Sequence, residues 1–164
     1  MASDLRDAAT VLTLRDGTSN GSFEVFLVRR HGGSGFMAGA HVFPGGVVDE
    51  GDSDPRLLDH AEGRTSAECA VCLGEPGNPK AAAYFFAAMR ETFEEAGVLV
   101  GTSDAPPDDD ARSALQNAER TFGDVAVQCG VKLRLDALVP QARWSTPTVE
   151  KRRYDTRFCL ARSP

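Results

Sequence analysis

Apolar and polar positions along the chain predict an alternation of short strands and helices. Residues 8–14 form a β-favouring run, and residues 23–28 are mostly apolar with partial alternation. With Asp16-Gly17 and Asn20-Gly21 between them, they predict an opening β-hairpin with a long loop. Residues 31–39 are glycine-rich and predict a loop, and residues 40–43 a short strand. Pro44-Gly45-Gly46 then forces a change of direction, because proline fixes φ and glycine permits φ > 0. Val47-Val48 resumes apolar character before the acidic group Asp49, Glu50, Asp52 and Asp54.

Residues 53–79 carry Pro55, Gly63, Gly74, Pro76, Gly77 and Pro79 with little periodicity. They predict an excursion from the fold with one short helix at 55–62. Asn78 suits a cap and Pro79 a first helical position, so a helix is predicted over 80–96, stopped by Gly97. Further along, the pattern predicts a strand at 98–100, a polar loop at 102–110 and helices at 110–120 and 122–129. Strands at 137–146 and 154–161 follow, joined by a turn near Pro147.

On a 3.6-residue wheel the helix over 80–96 places Phe85, Phe86, Met89, Phe93 and Ala96 on one side and Glu91, Glu94 and Glu95 on the other. Three carboxylates this close repel one another. Arg90 can pair with Glu94 at i, i+4, and a hard divalent cation would compensate better, since it prefers oxygen ligands. On this helix alone a solvated acidic face is the ordinary explanation. The glycine pair upstream changes the odds.

Composition narrows the function class. The 164 residues are 41% hydrophobic and 26% charged, enough for one folded domain, taken as residues 1–164. A net charge of -6 disfavours a general nucleic-acid binder, although a small anionic ligand remains compatible with local metal ions. The first residues lack the basic start and apolar core of a secretory signal, and no apolar stretch approaches membrane-spanning length. Four unevenly spaced cysteines then predict reduced thiols in a cytoplasmic protein.

Pro44-Gly45-Gly46 followed by Arg90-Glu91-Thr92-Phe93-Glu94-Glu95-Ala96-Gly97-Val98 resembles the motif of the Nudix hydrolases. That motif is a glycine, a glutamate, then Arg-Glu-aliphatic-any-Glu-Glu-any-Gly-aliphatic. Asp52, six positions after Gly46, stands where the first glutamate is expected, and Thr92 where an aliphatic residue is expected. Residues 53–89 far exceed the motif's spacer, so an insertion at about 53–79 lies inside it. Such an insertion resembles the branch of the coenzyme A diphosphatases. So do Gly35-Phe36-Met37-Ala38-Gly39-Ala40-His41-Val42-Phe43-Pro44-Gly45-Gly46, Ala142-Arg143-Trp144-Ser145-Thr146-Pro147 and Arg152-Arg153-Tyr154-Asp155-Thr156-Arg157-Phe158.

The resemblance implies an α/β fold, the Nudix α/β/α sandwich with a mixed β-sheet. It also implies a strand and helix beyond Pro164, which would make this chain a shortened member. It implies Mg²⁺ or Mn²⁺ bound by Glu91, Glu94, Glu95 and the Gly46 carbonyl, with Glu91 or Glu95 as general base and Arg90 holding Glu94. Asp52 or Glu50 would replace the first motif glutamate. Arg30, Gly45, Arg153 and Arg157 are candidate substrate contacts, with ordinary salt-bridging the alternative for Arg153 and Arg157. The implied substrate is a small nucleotide-type diphosphate, coenzyme A or acyl-coenzyme A on this branch, and a homodimer is allowed. The other class of function is a catalytically silent Nudix-like module that binds a nucleotide or a protein.

Remaining features carry ordinary roles. Cys69-x-x-Cys72 with His60 lacks a fourth zinc ligand and suits a surface loop. His31 and His41 flank the glycine-rich loop, Trp144 suits core or edge packing, and Asp108-Asp109-Asp110 suits a helix N-terminus.

Overall fold

The structure, a computed structural model, describes residues 5–30 and 39–163. His31 and the segment from Gly35 to Ala38 lie outside the described residues. A long first strand, β1 (Leu5–Asp16), pairs in parallel with the last, β10 (Arg153–Arg162), from Leu5↔Arg153 to Leu14↔Arg162. β9 (Val139–Ser145) lies antiparallel on the far side of β10. β2 (Phe23–Val25) and β5 (Gly45–Val47) pair antiparallel with β1 at its two ends, completing a mixed five-stranded sheet. The expected hairpin is present, but the predicted strand over 23–28 breaks after Val25. Its end becomes β3 (Val28–Arg29), which pairs with β4 (His41–Val42) as a separate hairpin.

Residues 53–79 are part of the fold rather than an excursion. They form α1 (Pro55–Asp59), β6 (Ala61–Glu62) and α2 (Ser66–Cys72). β6 joins a second sheet, lying parallel to β8 (Val131–Arg134), which pairs antiparallel with β7 (Gly101–Ser103). The strand expected at 98–100 is therefore displaced to β7, where β8 supplies a partner. Leu57, Cys69 and Ala70 enter the same core cluster as Phe85, Phe86 and Met89. Cys69 is buried and Cys72 exposed on one helix, so the surface-loop expectation is corrected.

The central helix, α3 (Ala81–Ala96), is entered through a turn in which the Asn78 Oδ1 accepts the Lys80 amide at 2.9 Å. Gly97 ends it at φ 69°, its amide bonding the Phe93 carbonyl at 2.8 Å. All ten residues from Ala81 to Arg90 are buried, so α3 is not a surface helix with one apolar side. Its small residues Ala81, Ala82, Ala83, Ala87 and Ala88 permit close packing all round. α4 (Asp109–Gln116) and α5 (Phe122–Gln128) follow near the predicted positions, α4 capped by Asp108 as expected at a helix N-terminus.

On the sheet, Ala9, Val11, Cys159 and Ala161 face this core. Thr10, Leu12, Leu14, Phe158 and Leu160 on the other face are half-buried and lie outside the core cluster. Among the described residues, no helix is long and apolar enough to cross a membrane.

Candidate active site

β5 runs beside β1 with Gly46 opposite Ala9, which brings the glycine pair against the C-terminal half of α3. A Cβ at Gly46 would run into the Glu91 carboxylate, so glycine lets that carboxylate lie against the backbone. The neighbouring Gly45 amide donates to Glu95 Oε2 at 3.2 Å. Two glutamates of α3 thus meet the backbone of the glycine pair.

Arg90 is the centre of the charge arrangement. It donates from Nε and Nη2 to the two Asp52 oxygens at 2.8 and 3.0 Å, and from Nη2 to the Val47 carbonyl at 2.9 Å. Nη1 lies 2.8 Å from Glu91 Oε1 and 3.3 Å from Glu94 Oε1. The expected Arg90–Glu94 pair is present, but Asp52, Val47 and Glu91 hold the guanidinium more closely. Asp52 is fully buried and accepts the Asp49 amide at 2.8 Å, whereas Glu50 is exposed. Of those two candidates, Asp52 is the residue beside Arg90. Thr92, in place of an aliphatic residue, satisfies its buried hydroxyl by donating to the Ala88 carbonyl at 2.7 Å.

Burial dominates the acidity of the three glutamates. It pushes Glu91 up to about 7, against the pull of Arg90 and with the repulsion of Glu94 and Glu95. Glu94 and Glu95 are raised for the same first reason, opposed at Glu94 by Arg90 and at Glu95 by the Gly45 amide and then Arg30. Crowded, partly desolvated carboxylates next to a bare glycine backbone are hard oxygen donors, a set that suits Mg²⁺ or Mn²⁺. Among the described residues, no three His, Cys, Asp or Glu side chains form a ready-made metal cage. Here one oxygen each of Glu91 and Glu94 is turned to Arg90 and one of Glu95 to the Gly45 amide.

The other expected substrate contacts divide. Arg30 is exposed at the end of β3, and its charge reaches Glu95. Arg157 is buried and takes the alternative role, salt-bridging. It bonds Asp7 at 3.2 Å, Asp155 at 3.0 Å and Glu75 at 2.7 Å, and lies 4.0 Å over the Tyr84 ring. No part of it is offered to a phosphate, which corrects its expected substrate role. Arg153 donates from Nε to the Thr146 carbonyl at 3.1 Å, closing the β9–β10 turn at the start of β10. His41 is exposed in β4 opposite Arg29, and Trp144 is exposed on β9. His60 Nδ1 lies 2.8 Å from the Val131 carbonyl, away from any zinc role with Cys69 and Cys72. Sequence reasoning missed Val47, whose contribution is a main-chain carbonyl, and Glu75, whose partners are far away in sequence.

The chain is 30% identical to a Nudix hydrolase from Alicyclobacillus acidocaldarius, and the two structures superpose with a TM-score of 0.80 over 98% of this chain and 71% of the other. It belongs to the Nudix hydrolase family. Two curated relatives of this Nudix chain are named acyl-coenzyme A diphosphatase NUDT19. The Gallus gallus protein is 31% identical over 84% of this chain and 48% of its own length. The Homo sapiens protein is 27% identical over 87% and 49%. The chain therefore spans about half the length of the curated relatives it matches. No family model matches it.

Proposed function

We propose that this Nudix chain hydrolyses the diphosphate bond of a nucleoside diphosphate linked to another group, using Mg²⁺ or Mn²⁺. We take the substrate to be coenzyme A or acyl-coenzyme A. The observation that carries the reaction class is the contact of the Gly46 backbone with Glu91, with Glu94 and Glu95 on the same turns of α3. The two diphosphatase relatives support the substrate.

Glu91, Glu94, Glu95 and the Gly46 carbonyl would hold the cation. When bound, it supplies charge neutralisation for the diphosphate oxygens and Lewis acidity toward water. Arg90, itself fixed by Asp52, sets the positions of Glu91 and Glu94. Glu91 or Glu95 takes the proton of the attacking water. Water adds to one phosphorus, and the bridging oxygen leaves with its electron pair on the other phosphate. Coenzyme A would give a phosphoadenosine and a phosphopantetheine. Arg30, whose charge reaches Glu95, and Gly45, whose amide donates to it, would contact the substrate phosphates beside Glu95. Because Asp52 reaches Arg90 in place of a glutamate, that substitution no longer argues for a silent module.

The test is incubation with Mg²⁺ or Mn²⁺ and coenzyme A, ADP-ribose or dinucleoside polyphosphates, with products separated by chromatography. Coenzyme A should be split and Glu94→Gln should abolish cleavage. Absence of cleavage of every compound overturns the proposal, and full activity in Glu94→Gln overturns the site.

A further inference from the structure

An α-helix leaves its last carbonyls without intrahelical partners. At the end of α3 the Gly97 amide takes the Phe93 carbonyl, which leaves those of Glu94, Glu95 and Ala96. Those of Glu94 and Glu95 are taken by α4. Arg112 donates from Nε to the Glu94 carbonyl at 2.9 Å and from Nη2 to the Glu95 carbonyl at 3.3 Å, and Gln116 donates to Glu94 as well. Arg112 is half-buried, and its carboxylate neighbour, Asp109, is 3.9 Å away and exposed.

We propose that Arg112, assisted by Gln116, is a positioning residue for the candidate metal site: it clamps the backbone of Glu94 and Glu95 and so fixes where their carboxylates lie. The clamp rests on the reading of Glu91, Glu94 and Glu95 as cation ligands. Two chemical properties of Arg112 are separable. Its fork spans two carbonyls, which an ammonium cannot reproduce, and its positive charge both complements the helix end and opposes a nearby cation. Removing the fork weakens cation binding, whereas removing charge alone would strengthen it.

The experiment compares wild type, Arg112→Lys, Arg112→Ala and Gln116→Ala. Manganese affinity is read from the spin-resonance signal of free Mn²⁺, backbone exchange at Gly97 and Val98 in metal-free protein, and folding from thermal unfolding. Both Arg112 variants should bind Mn²⁺ about tenfold more weakly, the loss typical when a group supporting a ligand is removed. Exchange at Gly97 should quicken while the fold persists. Wild-type Mn²⁺ affinity in Arg112→Lys, with tighter binding in Arg112→Ala, reduces Arg112 to its charge and overturns the clamp. Unchanged exchange at Gly97 also overturns it. Should Arg112→Ala not fold, Arg112→Lys and Gln116→Ala decide. Failure of the wild type to bind Mn²⁺ sinks the metal reading instead, and exchange at Gly97 then decides the clamp alone.

Discussion

Asp52 grips Arg90 through both of its oxygens, 2.8 Å from Nε and 3.0 Å from Nη2, with its side chain fully out of solvent. An aspartate serves here because the short helix at Glu50–Ser53 carries it up to the guanidinium. Breaking one partner of a buried pair leaves the other charge uncompensated, a loss of about 3–5 kcal/mol. Asp52→Ala should therefore lose stability in that range, measured by urea unfolding. Glu91 and Glu94 still face Arg90, so the lower end is expected. A change below about 1 kcal/mol would show the pair to be dispensable.

Gly46→Ala puts a methyl group where the Glu91 carboxylate now lies. Glu91 must swing away or β5 must shift from β1, and either spoils the meeting of backbone and carboxylate. Coenzyme A cleavage should fall at least about tenfold, equivalent to 1.4 kcal/mol in the barrier, with the protein still folded. Steady-state kinetics beside a circular dichroism melt would check this, and unaltered kinetics would remove Gly46 from the site.

Much of this arrangement could be read from the chain because α3 and the glycine pair announce themselves by spacing and punctuation. The second helix of the 53–79 segment had a legible start, since Thr65 and Glu68 cap each other reciprocally, but the surrounding glycines and prolines hid it. β8 was legible too, as its Val131, Lys132, Leu133 and Arg134 alternate between buried and exposed. Arg157 misled for a physical reason. On β10 the polar Asp155 and Arg157 share the core face with the small Cys159 and Ala161, while the larger apolar Phe158 and Leu160 occupy the half-buried face, so the bulkiest hydrophobic positions name the wrong side. Nothing local in the sequence reveals that Glu75 and Tyr84 wait there to receive a guanidinium.

Glu75 ties the segment 53–79 to the main sheet. Its Oε1 accepts from Arg157 at 2.7 Å and from Arg143 at 3.0 Å, and Asn78 donates to its other oxygen. Glu75→Ala strips one carboxylate from the buried Arg157 while Asp7 and Asp155 remain, so a loss of about 2 kcal/mol is expected, below that for a wholly orphaned charge. Glu75→Gln, which keeps an acceptor, should lose less. Urea midpoints rank the three proteins, and equal midpoints would mean that the segment is held by its apolar contacts alone.

Asp155 gives the same network a pH signature. The Arg143 hydrogen bond, with Ser145 and Arg157, outweighs burial and holds its carboxyl down at about 2, against an ordinary 3.8. A folded-state value below the unfolded one means that the unfolded chain takes up the proton first. The stabilisation is therefore complete above about pH 4 and is lost as pH falls toward 2. The displacement corresponds to a contribution on the order of 2 kcal/mol. Other carboxylates titrate in the same window, so the informative quantity is the difference between wild type and Asp155→Asn, measured in metal-free buffer. That difference should be largest at pH 5 to 7 and shrink steadily between pH 4 and pH 2. A gap that stays constant across this range would mean that Asp155 acts through its hydrogen-bond geometry rather than through its charge.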